Sequence, residues 1–392
     1  MSPRLRIVHC FRNPVGGLFR HVRDLAAEQA TAGHAVGIIA DSTTGGPYED
    51  ALFAALSPSL ELGVTRIPMR RAIAPGDAVA AARVLRHLRR LQPDVIHGHG
   101  AKGGAYARLM GTALRLAGGR PARIYTPHGG SLHYDAASIK GRLYFTAEHW
   151  LERMSDALVF VSRYEADTYG AKVGVPRRPV TIALNGLRPA EFEPVAIGEE
   201  PRDLLFIGML RDLKGPDVFI SALARIRDRT GAAPTAHIVG SGDDKARYVE
   251  MVASLGLDRA VSFHQPMPAR EAFALARVVV VPSRAESMPY LVLEALAAGK
   301  PTLATRVGGI PEIFGAASDA LVPPGDADAL SNAIAATLAE LPSATARAER
   351  LRQAIRGTFS IKAMAASVEA AYRDALAAAA PSGSVAITDA RP

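Results

Sequence analysis

Residues 278–313 read VVVVPSRAESMPYLVLEALAAGKPTLATRVGGIPEI, and this stretch decides the fold. The apolar run at 278–282 predicts a buried strand that ends in a polar loop carrying Glu286. An apolar segment of helical length follows through residue 298, and a further short run at 302–305 predicts the next strand. A strand, a helix and a second strand in this order are typical of a parallel sheet covered by helices.

The same alternation extends outward in two series. Short apolar runs at residues 5–10, 35–40, 94–97, 124–126, 158–161 and 180–184 form the first series, and runs at 204–208, 237–240, 261–264, 278–282 and 302–305 form the second. We therefore predict an α/β protein with two Rossmann-like domains, at residues 1–186 and 202–358. Residues 187–201, rich in proline and glutamate, are the predicted linker. We expect a helix at 359–380, which can cross back to the first domain, and a flexible tail at 381–392.

Composition limits the class of protein. The 392 residues suffice for two or three globular domains, and 48% of them are hydrophobic. The single cysteine excludes a disulfide framework and a multi-cysteine metal site, which fits a reducing compartment. The sequence shows no signal-peptide core and no run of roughly 20 apolar residues. We expect a cytoplasmic protein, or one that lies on the inner face of a membrane.

Charge is unevenly distributed between the halves. Residues 1–186 hold 24 Lys+Arg and 14 Asp+Glu, a balance of +10, whereas the remainder balances at −2. Aromatic residues make up only 6% of the chain and no nucleic-acid motif is present, so we expect no nucleic-acid partner. Solvated surface charge and an anionic membrane surface both remain open.

Two predicted helices of the first half are relevant to the choice between solvated surface charge and a membrane surface. Residues 77–91 (DAVAAARVLRHLRRL) predict a basic amphipathic helix, which either packs on a sheet with a solvated face or lies on anionic lipid. Residues 139–154 carry Tyr144, Phe145 and Trp150 at helical spacing. For these aromatic residues we expect a place in the core or in the wall of an acceptor pocket, rather than a membrane anchor.

Loops that follow the strands are the candidate ligand sites, because ligands of open α/β sheets bind at the carboxyl ends of the strands. Gly16 and Gly17 follow the first strand, where a glycine pair lets the backbone approach a ligand. The dinucleotide pattern G-x-G-x-x-G is absent there, which argues against a dehydrogenase. Gly240 and Gly242 form a similar turn in the second half, suited to a nucleotide or to nothing beyond a turn.

Charged residues complete the predicted site. Arg211 and Lys214 follow the first strand of the second domain, where cations can neutralise a diphosphate, although a solvated turn is the commoner fate of such residues. Glu286 and Glu294 stand eight positions apart around a predicted helix start at Pro289. An anion could rest on that helix end while the glutamates hold hydroxyls. The pattern indicates a site for a phosphate flanked by sugar hydroxyls.

Nearly the whole chain resembles a glycosyltransferase of the GT-B fold, similar to family 4. The resemblance rests on residues 16–17, 32–36, 94–99, 126–129, 185–186, 214–215 and 307–312, and above all on the Glu286 and Glu294 pair. It implies two domains that face each other across a cleft, with the donor on the second and the acceptor on the first. It also implies catalysis without a metal or other cofactor.

The resemblance further implies roles for single residues. Glu286 would hold the donor sugar, Glu294 the ribose and Lys214 the diphosphate, while His128 would face the sugar. The amides around Ser287, Met288 and Pro289 would assist Lys214. Gly16 and Gly17 would lie against the diphosphate, and the substrate-binding set also includes Asn185, Tyr290, Gly240 and Gly242. The chain departs from the family at Met209, where an arginine is usual, and Arg211 is the candidate replacement. His97 and His99 are expected to be structural.

Together with these residues, the resemblance implies a retaining glycosyltransferase that moves a hexose from a nucleotide-diphosphate sugar to a saccharide or a lipid-linked saccharide, and by analogy with the family a place in cell-surface polysaccharide assembly. Two alternatives remain. One is an epimerase or phosphorylase of the same fold, and the other is a non-catalytic binder of nucleotides or polyanions.

Overall fold

The computed structural model describes residues 3–72 and 74–379, and the expected tail at 381–392 lies outside them. Two parallel sheets each form the centre of an α/β domain, as the sequence predicts. The first sheet consists of β1 (Arg6–Phe11), β2 (Ala35–Asp41), β3 (Gly63–Ile67), β4 (Val95–His99), β5 (Ala122–Thr126), β6 (Ala157–Phe160) and β7 (Val180–Ile182). Its order is β3-β2-β1-β4-β5-β6-β7. Strands are added to one side of β1 up to β3 and then to the other side from β4 onward, so the strand order reverses between β1 and β4. A ligand crevice is expected at the carboxyl ends of those two strands.

Helices cover both faces of the first sheet. They are α1 (Gly16–Thr31), α2 (Pro47–Leu56), α3 (Gly76–Leu91), α4 (Gly100–Leu116), α5 (Ile139–Glu152) and α6 (Arg163–Lys172). Val8 and Cys10 of β1 pack against α3 and α4, whereas Phe11 packs against α1 on the opposite face. Alternate residues of one strand thus serve two separate cores, which is why β2, β4, β5 and β6 are buried along their whole length.

The second sheet consists of β8 (Arg202–Ile207), β9 (Ala236–Val239), β10 (Val261–His264), β11 (Ala276–Val281) and β12 (Thr302–Ala304), in the order β10-β9-β8-β11-β12. Its helices are α7 (Pro216–Thr230), α8 (Lys245–Ser254), α9 (Ala269–Ala274), α10 (Tyr290–Ala297), α11 (Ile310–Phe314), α12 (Ala327–Ala339) and α13 (Leu341–Thr358). Val278 and Val280 of β11 pack with α7 and α12, while Val279 and Val281 pack with α10. The unbroken valine run of the sequence is therefore a strand buried on both faces.

The last described helix, α14 (Ile361–Ala379), lies on the first domain rather than the second. Its buried residues Met364, Val368 and Tyr372 share a core with Ile7 of β1 and Ile124 of β5. An isolated bridge between Leu187 and Ser360 marks where the chain crosses between the domains. The two domains are therefore joined by two chain segments.

Three features differ from the sequence-based expectation. The sequence analysis missed β3, a short strand at the sheet edge in which only Ile67 is fully buried. The segment at 187–201 contains a short 3-10 turn, Pro189–Phe192, rather than only irregular chain. Trp150 lies on the surface with 56% of its area exposed, whereas Phe145 is buried, so the expectation for the aromatic residues of α5 holds only in part. Within the described ranges, we find no helix both long and apolar enough to cross a bilayer.

Candidate active site

Lys214 and Glu286 meet at the carboxyl ends of β8 and β11. Lys214 Nζ lies 2.6 Å from Glu286 Oε1, and the Ser283 hydroxyl donates to the same oxygen at 2.7 Å. Gly215 brings the two loops together, because its φ of +73° and its contact with the Pro282 carbonyl leave no room for a Cβ. Among the residues that the structure describes, both side-chain partners of Glu286 contact Oε1, which leaves Oε2 for a ligand.

Glycines behind Glu286 hold its loop in place. Gly308, at φ +58°, lies against the Glu286 carbonyl so closely that a Cβ would collide with it. The amide of Gly309 donates to the Ser287 carbonyl at 2.6 Å. The sequence VGGIPE therefore supports the position of Glu286 from outside the site.

The start of α10 offers backbone rather than side chains. Pro289 is the residue before the first helical turn, and the side chains of Met288 and Tyr290 are buried. Only the amides of this segment can therefore serve an anion, since a helix start leaves its first N–H groups without partners in the helix. The Tyr290 ring packs between the two domains. A Cβ added to Gly17 of the first domain would lie 3.7 Å from this ring, which is ordinary contact distance.

Glu294 faces the first domain, where it pairs with Arg20 of α1. Arg20 also pairs with Glu191, and its guanidinium lies 4.3 Å above the centre of the Tyr290 ring. Burial opposes the charge of Arg20, but Glu294 and Glu191 outweigh it and raise the pKa of the guanidinium. The sequence analysis did not single out Arg20, whose one signal was its position in the first turns after the glycine pair.

Asn185 joins the two domains from the end of the first. Its Nδ2 donates to the Met288 carbonyl at 2.7 Å, and its Oδ1 lies 2.9 Å from His21 Nδ1. Because the amide nitrogen faces a carbonyl, Oδ1 is the acceptor and His21 Nδ1 carries the proton. Both ends of the Asn185 side chain are thus engaged by protein groups, rather than free for substrate.

His128 is the last member of a buried hydrogen-bonded chain. Gln29 Oε1 lies 2.8 Å from His9 Nε2, His9 Nδ1 lies 2.9 Å from His99 Nε2, and His99 Nδ1 lies 3.0 Å from His128 Nε2. Burial lowers the pKa of His9 to about 4 and holds those of His99 and His128 well below their usual value, so all three rings are neutral at pH 7.

The direction of this chain follows from Tyr372. Its hydroxyl lies 2.6 Å from His97 Nδ1 and 3.4 Å from Gln29 Nε2, and the shorter contact is the one in which a hydroxyl donates. The Gln29 amide nitrogen then faces Tyr372, and its oxygen accepts from His9. Each neutral ring passes this polarity on, so His128 donates through Nε2 and presents Nδ1 as an acceptor. His128 also has a φ of +53°, a strained value for a residue with a side chain.

Imidazoles in this region also have the spacing of metal ligands. His9, His97 and His99 form one such group, and His21, His99 and His128 form another, with ligand atoms within 4.8 Å of one another. In the first group, hydrogen bonds already engage both nitrogens of every ring, with Gln29, Tyr372, Thr126 and His128 as the outer partners. In the second, His21 Nε2 is buried without a hydrogen-bond partner among the described residues. Since His9 and His128 engage both nitrogens of His99, only His21 and His128 of this group keep a nitrogen without a hydrogen-bond partner among the described residues, which is too few for a three-histidine metal site.

His133 lies across the cleft from Lys214 and was not predicted. Burial lowers its pKa, Glu286 raises it, and the neighbouring cations Lys172, Lys214 and Arg211 lower it further. Arg211 itself is exposed, and its guanidinium makes no side-chain hydrogen bond or ion pair within the described part of the chain. Since Arg211 and Lys214 both lower the pKa of His133, their two charges act on the same part of the cleft.

The remaining predicted glycines have different surroundings. A Cβ on Gly240 would collide with the Gly208 carbonyl, and one on Gly242 with the Leu210 carbonyl, so both serve close packing of two loops. Gly16 has a φ of +63° and open space at its Cβ position. Gly129 packs against Ser287 from the opposite domain. Two contacts thus cross the domain interface near the predicted site: Gly17 lies against Tyr290, and Gly129, next to His128, lies against Ser287, the neighbour of Glu286.

Two parallel-sheet α/β domains with charged loops at the carboxyl ends of their strands are the architecture of the GT-B fold. Comparison with known proteins agrees for each domain: residues 15–191 match the family described as Glycosyltransferase Family 4, and residues 188–356 match Glycosyl transferases group 1. Each of the two domains thus belongs to a glycosyltransferase family, and the chain is a transferase.

Three similar proteins illustrate the range of the class. Glycogen synthase of Mycobacterium tuberculosis (strain ATCC 25618 / H37Rv) is 27% identical over 383 residues, which cover 91% of both chains. Sucrose-phosphate synthase of Thermosynechococcus elongatus superimposes with a TM-score of 0.75 at 22% identity, covering 95% of this chain and 100% of that one. HepE (Alr3699) of Anabaena, crystallised with UDP, gives a TM-score of 0.73 at 16% identity over 94% and 100% of the two chains.

Proposed function

We propose that this glycosyltransferase acts with retention and without a metal, moving a hexose from a nucleoside-diphosphate sugar to a saccharide or lipid-linked saccharide. The observation that carries the proposal is the Lys214–Glu286 pair beside the start of α10, opposite the Gly16–Gly17 loop. A cation, helix amides and a carboxylate at one point suit a diphosphate joined to a sugar.

In the proposed reaction, the bond between the sugar C1 and the diphosphate oxygen breaks and its electron pair leaves with the diphosphate. Lys214, Arg211 and the amides after Ser287 stabilise that charge. Glu286 Oε2 accepts from sugar hydroxyls, and His128 Nδ1 accepts from another. The acceptor oxygen then bonds to C1 from the side that the diphosphate leaves, and its proton passes to the departing phosphate.

Uridine diphosphate is the first donor nucleotide to test, because the Anabaena neighbour was crystallised with UDP. We place the reaction at the cytoplasmic face of a membrane, in cell-surface polysaccharide assembly. The excess of cations in the first half and the single, fully buried Cys10 support this proposal. A saccharide acceptor in solution is the alternative.

The test is a thermal-shift screen against UDP, GDP, ADP and their sugars, with and without a chelator, followed by product analysis. A ligand that binds only the folded chain raises its melting temperature. Stabilisation by one nucleotide family in the presence of chelator, with transfer and an unchanged anomeric configuration in the product, supports the proposal. Epimerised sugar or sugar phosphate would favour the epimerase or phosphorylase alternative, and binding without any turnover would favour a non-catalytic protein.

A further inference from the structure

The outward face of α5 is apolar and unpartnered. Seven exposed residues at helical spacing form it: Ile139, Arg142, Leu143, Thr146, Ala147, Trp150 and Arg153. Ile139 is 75% exposed, Leu143 68% and Trp150 56%, which places three large apolar side chains in a row on one helix. Scattered apolar residues are normal on a protein surface, but a row of this kind marks an interaction site.

The charge on this face has one sign. Lys140, Arg142 and Arg153 are exposed beside the apolar row, and none has an ion-pair partner among the residues that the structure describes. Both glutamates of α5 point inward, where Glu148 pairs with Arg108 at 2.8 Å and Glu152 accepts from the Tyr169 hydroxyl at 3.1 Å. The outward face of α5 therefore carries cations and no carboxylate.

The inward contacts also fix the helix on the sheet. Phe145 is buried, and the Tyr125 hydroxyl of β5 donates to Glu148 at 2.9 Å. The helices α3, α4 and α5 all cover the same face of the first sheet, and α4 adds the exposed Leu109 and Leu116 to this side of the domain. Arg153 lies 4.0 Å from the centre of the Trp150 ring and Lys140 5.3 Å from that of Tyr134, so both cations stay beside the apolar row without a carboxylate partner among the described residues. A rigid layer of apolar side chains and such cations fits a broad, anionic surface.

We propose that the outward face of α5 docks on an anionic lipid bilayer, with Ile139, Leu143 and Trp150 in the headgroup layer and Arg142 and Arg153 on lipid phosphates. Tryptophan suits that depth because its ring is apolar with one polar N–H. Charge disfavours a second copy of the same face as the occupant, since its cations would oppose these cations. α5 begins six residues after the turn that carries His133, so docking brings the cleft close to lipid. The inference thus rests on the proposed function and names the surface on which a lipid-linked acceptor would lie.

The basic helix α3 is a weaker candidate for the same role. Its apolar residues Val84 and Leu88 are buried on the sheet, so it offers solvent mainly Arg83, Arg86, Arg89 and Arg90. Such a face can attract lipid only through charge, which salt screens. α5 adds apolar insertion, which salt does not remove.

Trp150 is the only tryptophan of the chain, and it gives a direct readout. The full chain is mixed with vesicles containing phosphatidylglycerol or with pure phosphatidylcholine vesicles, and its tryptophan emission is recorded with and without brominated lipid. We expect a blue shift and bromine quenching with the anionic vesicles only. Emission that stays unchanged while the protein floats with those vesicles would overturn the proposal.

Variants separate the helices. In flotation, Leu143→Gln is expected to weaken binding about tenfold and Arg142→Gln about fivefold, from the usual contributions of a buried apolar side chain and of one cation near the surface. Val249→Gln, at an exposed apolar position of α8 in the second domain, is the matched control and should bind like the parent. Loss of binding in Arg86→Gln with Arg89→Gln, but not in the α5 variants, would assign docking to α3 and refute the inference.

The same preparations are tested for nucleotide binding by thermal shift. A chain that binds nucleotide but no vesicle refutes the docking surface and leaves the proposed function standing. A chain that binds vesicles through α5 but no nucleotide supports the surface and refutes the proposed function.

Discussion

Lys214→Met is the change that examines the proposed site most directly. The Lys214 and Glu286 side chains are 24% and 10% exposed, so their 2.6 Å ion pair lies between the surface and buried limits. Surface pairs contribute about 0–1 kcal/mol and breaking a buried pair costs about 3–5 kcal/mol. We therefore expect the free energy of unfolding to fall by about 1–2 kcal/mol. Loss of one group that stabilises transition-state charge typically lowers kcat about 10²–10³-fold, equivalent to about 3–4 kcal/mol.

The double variant Lys214→Met with Glu286→Gln separates the two effects. Removing both charges leaves no unpaired partner. The double variant should therefore lose about 1 kcal/mol less free energy of unfolding than the sum of the two single losses. Its kcat should stay as low as that of the worse single variant, because both groups contact the donor. Arg277→Met is the matched control, since Arg277 pairs with Asp203 at 3.2 Å at the opposite ends of β8 and β11.

The assay combines steady-state transfer with the donor identified by thermal shift and urea unfolding of each variant. Two results would refute the reasoning. If kcat of Lys214→Met stays within about threefold of the parent, the cation does not stabilise the leaving group. If the double variant regains both stability and kcat, the pair is structural.

Further outcomes follow from the same contacts. Asn185→Leu leaves the Met288 carbonyl and His21 Nδ1 without partners, which should lower the free energy of unfolding by about 2–4 kcal/mol in urea titration; a change below about 0.5 kcal/mol would contradict this. Gln29→Met removes the group that orients the histidine chain and should lower kcat/KM about tenfold with little change in nucleotide affinity. Burial lowers the pKa values of His9 and His21 to about 4, so between pH 6.5 and pH 4 the unfolded chain binds more protons than the folded one and stability declines as the pH falls. The free energy of unfolding should therefore be lower at pH 5 than at pH 7, and equal values would refute this. Transfer should continue in excess chelator, whereas a rate restored only by added Mg²⁺ or Mn²⁺ would show a metal requirement.

The sheets were predictable because their signal is local. Val278 to Val281 alternate between two buried cores. A strand covered on both faces therefore has a continuous apolar sequence, which can be recognised without the structure. The edge strand β3 has no such cover on most of its residues, and its sequence GVTRI gave no comparable signal. For Trp150 the sequence did predict the helix but not the exposure of the side chain. Aromatic residues at helical spacing do not show which side of the helix packs on the sheet.

The partners within the site were not predictable from local sequence, because they depend on how the domains meet. Arg20 and Glu294 are 274 positions apart, and Arg20 lies in α1 among other basic residues. The chain from Gln29 to His128 likewise joins α1, β1, β4 and the loop after β5. Sequence spacing could nominate His128 but could not show that its neighbours set its tautomer.

Several residues predicted as ligands hold the domains together in this structure, and this has a consequence for nucleotide binding. Glu294 pairs with Arg20, and Asn185 holds the Met288 carbonyl beside the start of α10. If the ribose engages Glu294, as the family resemblance implies, it shares that carboxylate with an arginine of the other domain, so the observed affinity is the difference between the new contacts and those given up. Removing the Arg20 charge therefore has two opposed effects, since it frees Glu294 for the ribose and removes the pair that positions it. The nucleotide affinity of Arg20→Gln measures which effect is larger, and thus whether donor binding and domain contact compete or cooperate.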